Sequence, residues 1–116
     1  MLLKKLFGFG PPPYTVLGPQ EVAEKLKSAR PLIVDVREQY EYAQGHIKGS
    51  KNIPLRQLPE RITQLGSQDQ EIIMVCASGS RSSSAANYLV KEGYTNICNL
   101  NGGMMSWQRA GLPVKR

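Results

Sequence analysis

The strongest constraint on how this chain can fold is a pair of short apolar runs, Leu32-Ile33-Val34-Asp35-Val36 and Ile72-Ile73-Met74-Val75. Neither alternates with polar residues over most of its length, and both are rich in β-branched side chains. A strand solvated on one face must alternate, whereas a strand covered on both faces need not. Two such strands therefore demand apolar layers on both sides of a sheet, and the intervening segments supply them. After Gly18-Pro19, where glycine suits an N-cap and proline the first helical position, Val22, Ala23, Leu26 and Ala29 recur at helical spacing. Leu55, Leu58, Ile62 and Leu65 form a second stripe, interrupted by Pro59 and stopped by Gly66. Ala85, Ala86, Leu89 and Val90 form a third that ends near Gly93. Tyr14 to Leu17, Lys51 to Ile53 and Asn96 to Leu100 read as further strands, and Glu38 to Ala43 and Met104 to Ala110 as short helices. Strands alternating with helices imply parallel pairing in a layered α/β domain. Sites in such sheets form beyond the carboxyl ends of the strands, so the loops after Asp35, Ile53, Val75 and Leu100 carry the functional expectation.

At 116 residues the chain fits one compact domain. Residues 1–13 read as a flexible N-terminal extension, ending in the stiff run Pro11-Pro12-Pro13, ahead of a domain over 14–116. Leu2, Leu3, Leu6, Phe7 and Phe9 offer at most a weak membrane-surface or partner contact. The apolar stretch is too short for a signal peptide, and no stretch approaches a membrane span, which points to the cytoplasm. The net charge of +6 is spread from Lys4 to Arg116 without long basic runs or interleaved aromatics. That pattern does not indicate nucleic-acid binding and leaves open the attraction of a small anion into a cleft. Cys76 and Cys98 make no CxxC pair, and the lone His46 stands far from both. Neither a zinc site nor a cofactor is expected, and two free thiols suit a reducing compartment.

The chemistry concentrates in Cys76-Ala77-Ser78-Gly79-Ser80-Arg81-Ser82. Cys76 stands where a strand stops and a helix starts, followed by small residues whose backbone N–H groups can converge on one point. The positive end of the helix dipole and the Arg81 guanidinium add to that field. All three favour a thiolate, which is the nucleophilic form, without an adjacent base. Such a cradle suits an anion bound to sulfur, either a persulfide or a phosphate or arsenate in transfer, and physical reasoning alone does not separate these.

Cys76-x-x-Gly79-x-Arg81-Ser82 resembles the active-site loop of the rhodanese family. The setting is also similar: Asp35-Val36-Arg37-Glu38, Gly45-His46-Ile47-Lys48-Gly49-Ser50, Asn52-Ile53-Pro54-Leu55, then Leu100-Asn101-Gly102-Gly103 with Trp107, and Gly111-Leu112-Pro113-Val114. The resemblance runs from about Tyr14 to Val114. It implies a three-layer α/β fold with a five-stranded, mostly parallel sheet and helices on both faces. It implies a sulfurtransferase that moves sulfane sulfur from thiosulfate or another persulfide donor to a thiophilic acceptor, a thiol or cyanide, through a persulfide on Cys76. Residues 77–82 would bind the substrate. A persulfide carrier or sulfur-relay module without useful turnover is the alternative. A related phosphatase or arsenate reductase is disfavoured, because in that family the phosphatase loop is one residue longer.

Other residues divide between functional and structural roles. Asp35, Arg37, Arg56 and Met104 are candidates for the pocket rim. Arg81 either faces the bound anion or pairs with a carboxylate, with Asp35 a candidate partner, and Arg37 is expected to pair with Glu41 at helical spacing. Arg56 is read as a solvated arginine before a substrate contact. His46 is read as part of a structural turn, Trp107 and Met105 as packing residues, and Cys98 as buried in a strand before a resolving thiol. Ala77, Ser78 and Ser80 bring no positive charge to the loop, so weak binding of the thiosulfate dianion is expected.

Overall fold

The computed structural model describes residues 11–116. The expectations placed on residues 1–10 of the extension lie outside the described residues. In chain order the elements are β1 (Thr15–Leu17), α1 (Pro19–Ser28), β2 (Leu32–Asp35), α2 (Gln39–Ala43), β3 (Lys51–Asn52), α3 (Leu58–Arg61), β4 (Ile72–Val75), α4 (Ser80–Lys91), β5 (Ile97–Leu100) and α5 (Gly103–Arg109). The five strands form one parallel sheet in the order β1-β5-β4-β2-β3. This is the α/β architecture expected from the two buried runs. They pair directly, Leu32 beside Ile72 through Asp35 beside Val75.

Period-two alternation sorts the core into two layers. Ile72, Met74 and Cys76 share one face with Val34 and Val36, covered by Ala85, Ala86 and Leu89 of α4 and by Leu58 and Leu65. Ile73 and Val75 point the other way with Ile33, Cys98 and Leu100, covered by Val22 of α1 and by Met104 and Trp107 of α5. Each residue of β4 is at most 1% exposed. Burial of such side chains contributes about 1.5–3 kcal/mol each. The central strand is therefore the best anchored part of the backbone, and the loop that leaves it starts from a fixed point.

The second helical stripe departs from one regular helix. Leu55–Gln57 and Ile62–Leu65 are 3-10 turns on either side of α3. Pro59 falls at the start of α3, where its missing N–H costs nothing, so the proline restarts the helix after the first turn.

The loop after β2 is clamped by charge. Arg37 Nε donates to Asp35 Oδ1 at 3.0 Å and Nη2 to Oδ2 at 2.8 Å, while Nη2 also reaches the Gly45 carbonyl at 2.8 Å. The pairing of Arg37 with Glu41 expected from helical spacing is not formed. The helix begins only at Gln39, with Glu38 as its cap, so Arg37 lies in a bend before it, where the i,i+4 spacing of a helix does not apply. Asn52 Nδ2 donates to the Asp35 and Arg37 carbonyls at 3.0 and 2.9 Å and completes the clamp. Asp35 and Arg37 are both buried. Asp35→Ala would leave the guanidinium without its counter-charge and should cost about 3–5 kcal/mol. Asp35→Ala/Arg37→Met, which removes both charges, should recover much of that loss. Urea denaturation of the three proteins measures both effects.

Candidate active site

Cys76 follows β4 directly, and its side chain points to the α4 face of the sheet. The N–H of Gly79 donates to Sγ at 3.1 Å, and the Ser82 hydroxyl lies 3.3 Å from it. Gly79 caps α4 with φ at +104°, a backbone conformation glycine adopts without strain. A Cβ there would also press on the Gly102 nitrogen at 3.2 Å. Burial of Cys76 pushes its thiol pKa up. Hydrogen bonds from the Ser82 hydroxyl and from the N–H groups of Ser82, Gly79 and Ser78 outweigh that effect, so the net shift is below the ordinary value. The Ser82 hydroxyl also lies 3.2 Å from the Gly79 carbonyl. It has one proton for two acceptors, and a charged sulfur is the stronger claim on it.

The first turn of α5 packs against this loop. The N–H groups of Met104 and Met105 donate to the carbonyls of Cys76 and Ala77 at 2.8 and 3.0 Å. Such an approach requires Gly103, since a Cβ at that position would stand 2.3 Å from the Cys76 carbonyl oxygen. Gly103 is a residue whose importance was only half visible: the Gly102-Gly103 pair announced a turn, but not its contact with the cysteine loop. Asn99 on β5 donates from Nδ2 to the Gly79 carbonyl at 3.4 Å, and its Oδ1 is buried without a protein partner.

Beside the loop lies a cavity of about 230 Å³ lined by Arg37, Glu41, Gln44, Gly45, Ala77, Met104, Met105 and Gln108. Of the rim candidates, Arg37 and Met104 border it. Asp35 is 1% exposed beneath Arg37 and does not. Arg56 lines a neighbouring groove with Gln39, Tyr42 and Arg61, where it is bonded to Glu38 at 3.1 Å. Sequence reasoning missed Gln44 and Gln108, which carry no motif, and Met105, read as a packing residue, is exposed and lines the cavity.

Arg81 resolves in favour of a carboxylate, and the carboxylate is Glu41, not Asp35. Its Nη1 and Nη2 donate to Glu41 Oε1 and Oε2 at 2.8 and 2.9 Å. Asp35 is already occupied by Arg37. Glu41 is fixed from its own side as well, because Oε1 also accepts the Glu38 N–H that caps α2 at 2.9 Å. The Arg81 guanidinium, with a smaller contribution from that N–H, overrides burial and lowers the Glu41 pKa to about 2. The same pairing raises the pKa of Arg81.

His46 and Cys98 lie elsewhere. His46 stacks on Tyr42 at 3.7 Å between ring centroids, and its Nδ1 is 2.8 Å from the Tyr42 carbonyl. Its backbone bridges Lys115 in both directions. Cys98 pairs in register with Ile73 on the sheet face opposite Cys76. Burial, and next the Glu71 carboxylate, raise its thiol pKa. Among the described residues no group of histidine, cysteine and carboxylate side chains is arranged to hold a metal ion, and no helix is long and apolar enough to cross a membrane.

The described residues thus form a parallel α/β domain with a cysteine cradled at a strand-to-helix junction. The rhodanese-like domain family model matches residues 18–110, and the chain belongs to that family. It is 39% identical over 83 residues to a sulfurtransferase of Allochromatium vinosum, covering 72% of this chain and 77% of that protein. It is 37% identical over 90 residues to the thiosulfate sulfurtransferase GlpE of Stutzerimonas stutzeri, covering 78% and 82%. The crystal structure of a rhodanese-related protein from Thermoplasma volcanium superposes with a TM-score of 0.80 at 33% identity, covering 88% of this chain and 98% of that one. These relatives support sulfurtransferase activity in general terms.

Two measurements follow from the geometry. The Arg81–Glu41 pair stabilises the fold fully above pH 4.5, the ordinary Glu value, and its contribution is lost as the pH falls toward about 2. The stability advantage of the wild type over Glu41→Gln, read from denaturation midpoints, should therefore shrink progressively as the pH falls from about 4.5 to about 2. Ser82→Ala removes a donor to Sγ and should raise the Cys76 thiol pKa. The rate of Cys76 alkylation by iodoacetamide at neutral pH should fall by roughly tenfold, the value of one hydrogen bond to a charged group.

Proposed function

We propose that this protein is a sulfurtransferase that carries sulfur as a persulfide on Cys76, taking it from thiosulfate or another persulfide donor and passing it to a thiophilic acceptor. The observation that carries this reading is the convergence on one sulfur atom of the Gly79 N–H, the Ser82 hydroxyl and the start of the twelve-residue helix α4. Those donors stabilise negative charge on Sγ, so Cys76 is the nucleophile and needs no base. This accords with His46 being engaged with Tyr42 and Lys115.

In the first half-reaction the Cys76 thiolate attacks the outer sulfur of the donor. With thiosulfate, a bond forms between Sγ and the outer sulfur, the sulfur–sulfur bond of the donor breaks, and sulfite leaves with the electron pair. The new terminal sulfur stands about 2.05 Å beyond Sγ. There the N–H groups of Ser78, Gly79 and Ser82, which face Sγ, form a nest that suits its charge. In the second half-reaction a thiolate or cyanide attacks that terminal sulfur, and Cys76 leaves as thiolate. Two half-reactions through a covalent intermediate predict ping-pong kinetics. The loop from Cys76 to Arg81 has the six-residue length that the family resemblance associates with sulfur rather than with a tetrahedral phosphate.

Intact mass after brief incubation with thiosulfate tests the proposal. The wild type should gain the mass of one sulfur atom, cyanide should remove it with formation of thiocyanate, and Cys76→Ser should gain nothing. A wild type that takes up no sulfur from thiosulfate or from any persulfide donor would refute the reading.

A further inference from the structure

Among the described residues, the arginine that lines the cavity beside the Cys76 loop and the arginine of the loop itself are each paired with a carboxylate. Arg81 gives both Nη groups to Glu41, and Arg37 gives Nε and Nη2 to Asp35, so the two arginines and two carboxylates sum to no net charge. The loop itself contributes Ala77, Ser78 and Ser80, without charge. The remainder of the cavity wall is apolar or neutral, chiefly Met104, Met105, Gln44 and Gln108. The positive field acting on Sγ thus comes chiefly from N–H and O–H dipoles, with Arg81 adding a smaller charge contribution that Glu41 offsets, and this suffices for one negative charge.

Thiosulfate asks more of the site. Attack by the thiolate on this dianion brings three negative charges together, and every one persists in the persulfide and the departing sulfite. An alkyl persulfide asks less. In the balanced reaction Cys76–S⁻ + R–S–SH gives Cys76–S–SH + R–S⁻: the sulfur–sulfur bond of the donor breaks, the new one forms at Sγ, the proton stays on the transferred sulfur, and R–S⁻ leaves with the electron pair. One negative charge is present throughout when the donor enters protonated and two when it enters as the persulfide anion, and either count is below the three of thiosulfate. The overall charge of +6 does not alter the comparison at the reacting atoms. Exposed charges beyond about 8 Å are screened at physiological ionic strength.

From this we infer that the site selects alkyl persulfides over inorganic dianions, and that Glu41 is a specificity-determining residue because it occupies the guanidinium that would otherwise serve a dianion. The inference rests on the Cys76 persulfide reading. The apolar and amide wall suits the carbon portion of R, whether R belongs to a small thiol or to a cysteine in a polypeptide.

The test compares rates of sulfur loading onto Cys76, read by quenched intact mass, for three donors: thiosulfate, the persulfide of N-acetylcysteamine, and the persulfide of a blocked peptide with one cysteine. Each is run on the wild type, on Glu41→Gln, which frees Arg81, and on Gln108→Lys, which adds a cation without disturbing either ion pair. Donors differ in intrinsic reactivity, but that difference cancels when the persulfide-to-thiosulfate ratio is compared between proteins. The ratio should fall by roughly tenfold in Glu41→Gln and in Gln108→Lys, as expected for one added charge near the reacting sulfur. An unchanged ratio in both variants, or a wild type loaded as fast by thiosulfate as by both persulfides, overturns the inference while leaving Cys76 persulfide chemistry intact. Failure of all three donors to load sulfur overturns the underlying reading instead. A peptide donor faster than the small one assigns R to a polypeptide, and the reverse assigns it to a free thiol; either result supports the inference.

Discussion

The site depends on two hydrogen bonds made outside it, from the N–H groups of Met104 and Met105 to the carbonyls of Cys76 and Ala77. The first N–H groups of a helix have no partner within it, and the carbonyls of a chain leaving a sheet have none in the ladder. Each set satisfies the other. Because a peptide unit is planar and trans, turning the Ala77 carbonyl toward α5 turns the Ser78 N–H the opposite way, toward Sγ. The loop from β4 thus takes its shape from the loop that follows β5, and Gly103 is the residue that lets the two backbones approach.

Charge pairing fixes the other wall. The Asp35–Arg37 pair locks the chain after β2, and the Glu41–Arg81 pair ties the helix that follows it to the first turn of α4. Both are bidentate, so they set orientation as well as distance. Their energetic weights differ. The first pair is buried, and removing one partner strands a charge out of water. The second is partly exposed, with Arg81 at 37%, and solvent screens it. Its larger consequence is electrostatic, since it withdraws a cation from the cavity.

The sheet was legible because its two central strands carry an unbroken apolar pattern, and the position of Cys76 at a strand end followed from it. The ion pairs were not. Arg37–Glu41 looked right on a helical spacing that does not apply, because α2 begins at Gln39, two residues after Arg37. Arg81–Glu41 joins residues forty apart in the chain, and no local rule selects one carboxylate over another at that separation. The strand that starts at Lys51 was placed correctly but is only two residues long, since Pro54 ends the run just after the Ile53 N–H makes a last bond to the Asp35 carbonyl at 3.0 Å. Pro59 was a warning correctly attached to the second stripe: the segment is a helix of four residues between two 3-10 turns.

The alternation that builds the core also limits the chemistry. Cys76 has the parity of Ile72 and Met74, whereas Cys98 is registered beside Ile73 and faces the other layer. A sheet that is continuous from β1 to β3 stands between the two thiols. Burial holds Cys98 in its protonated form, and the donors around Sγ draw Cys76 toward the thiolate. The chain has no third cysteine. Sulfur carried on Cys76 therefore has no resolving thiol within the chain, and on the proposed mechanism it leaves only when an external nucleophile enters the cavity beside Ala77 and Met104. The shape and charge of that opening, more than the nucleophile itself, then govern which acceptor is served.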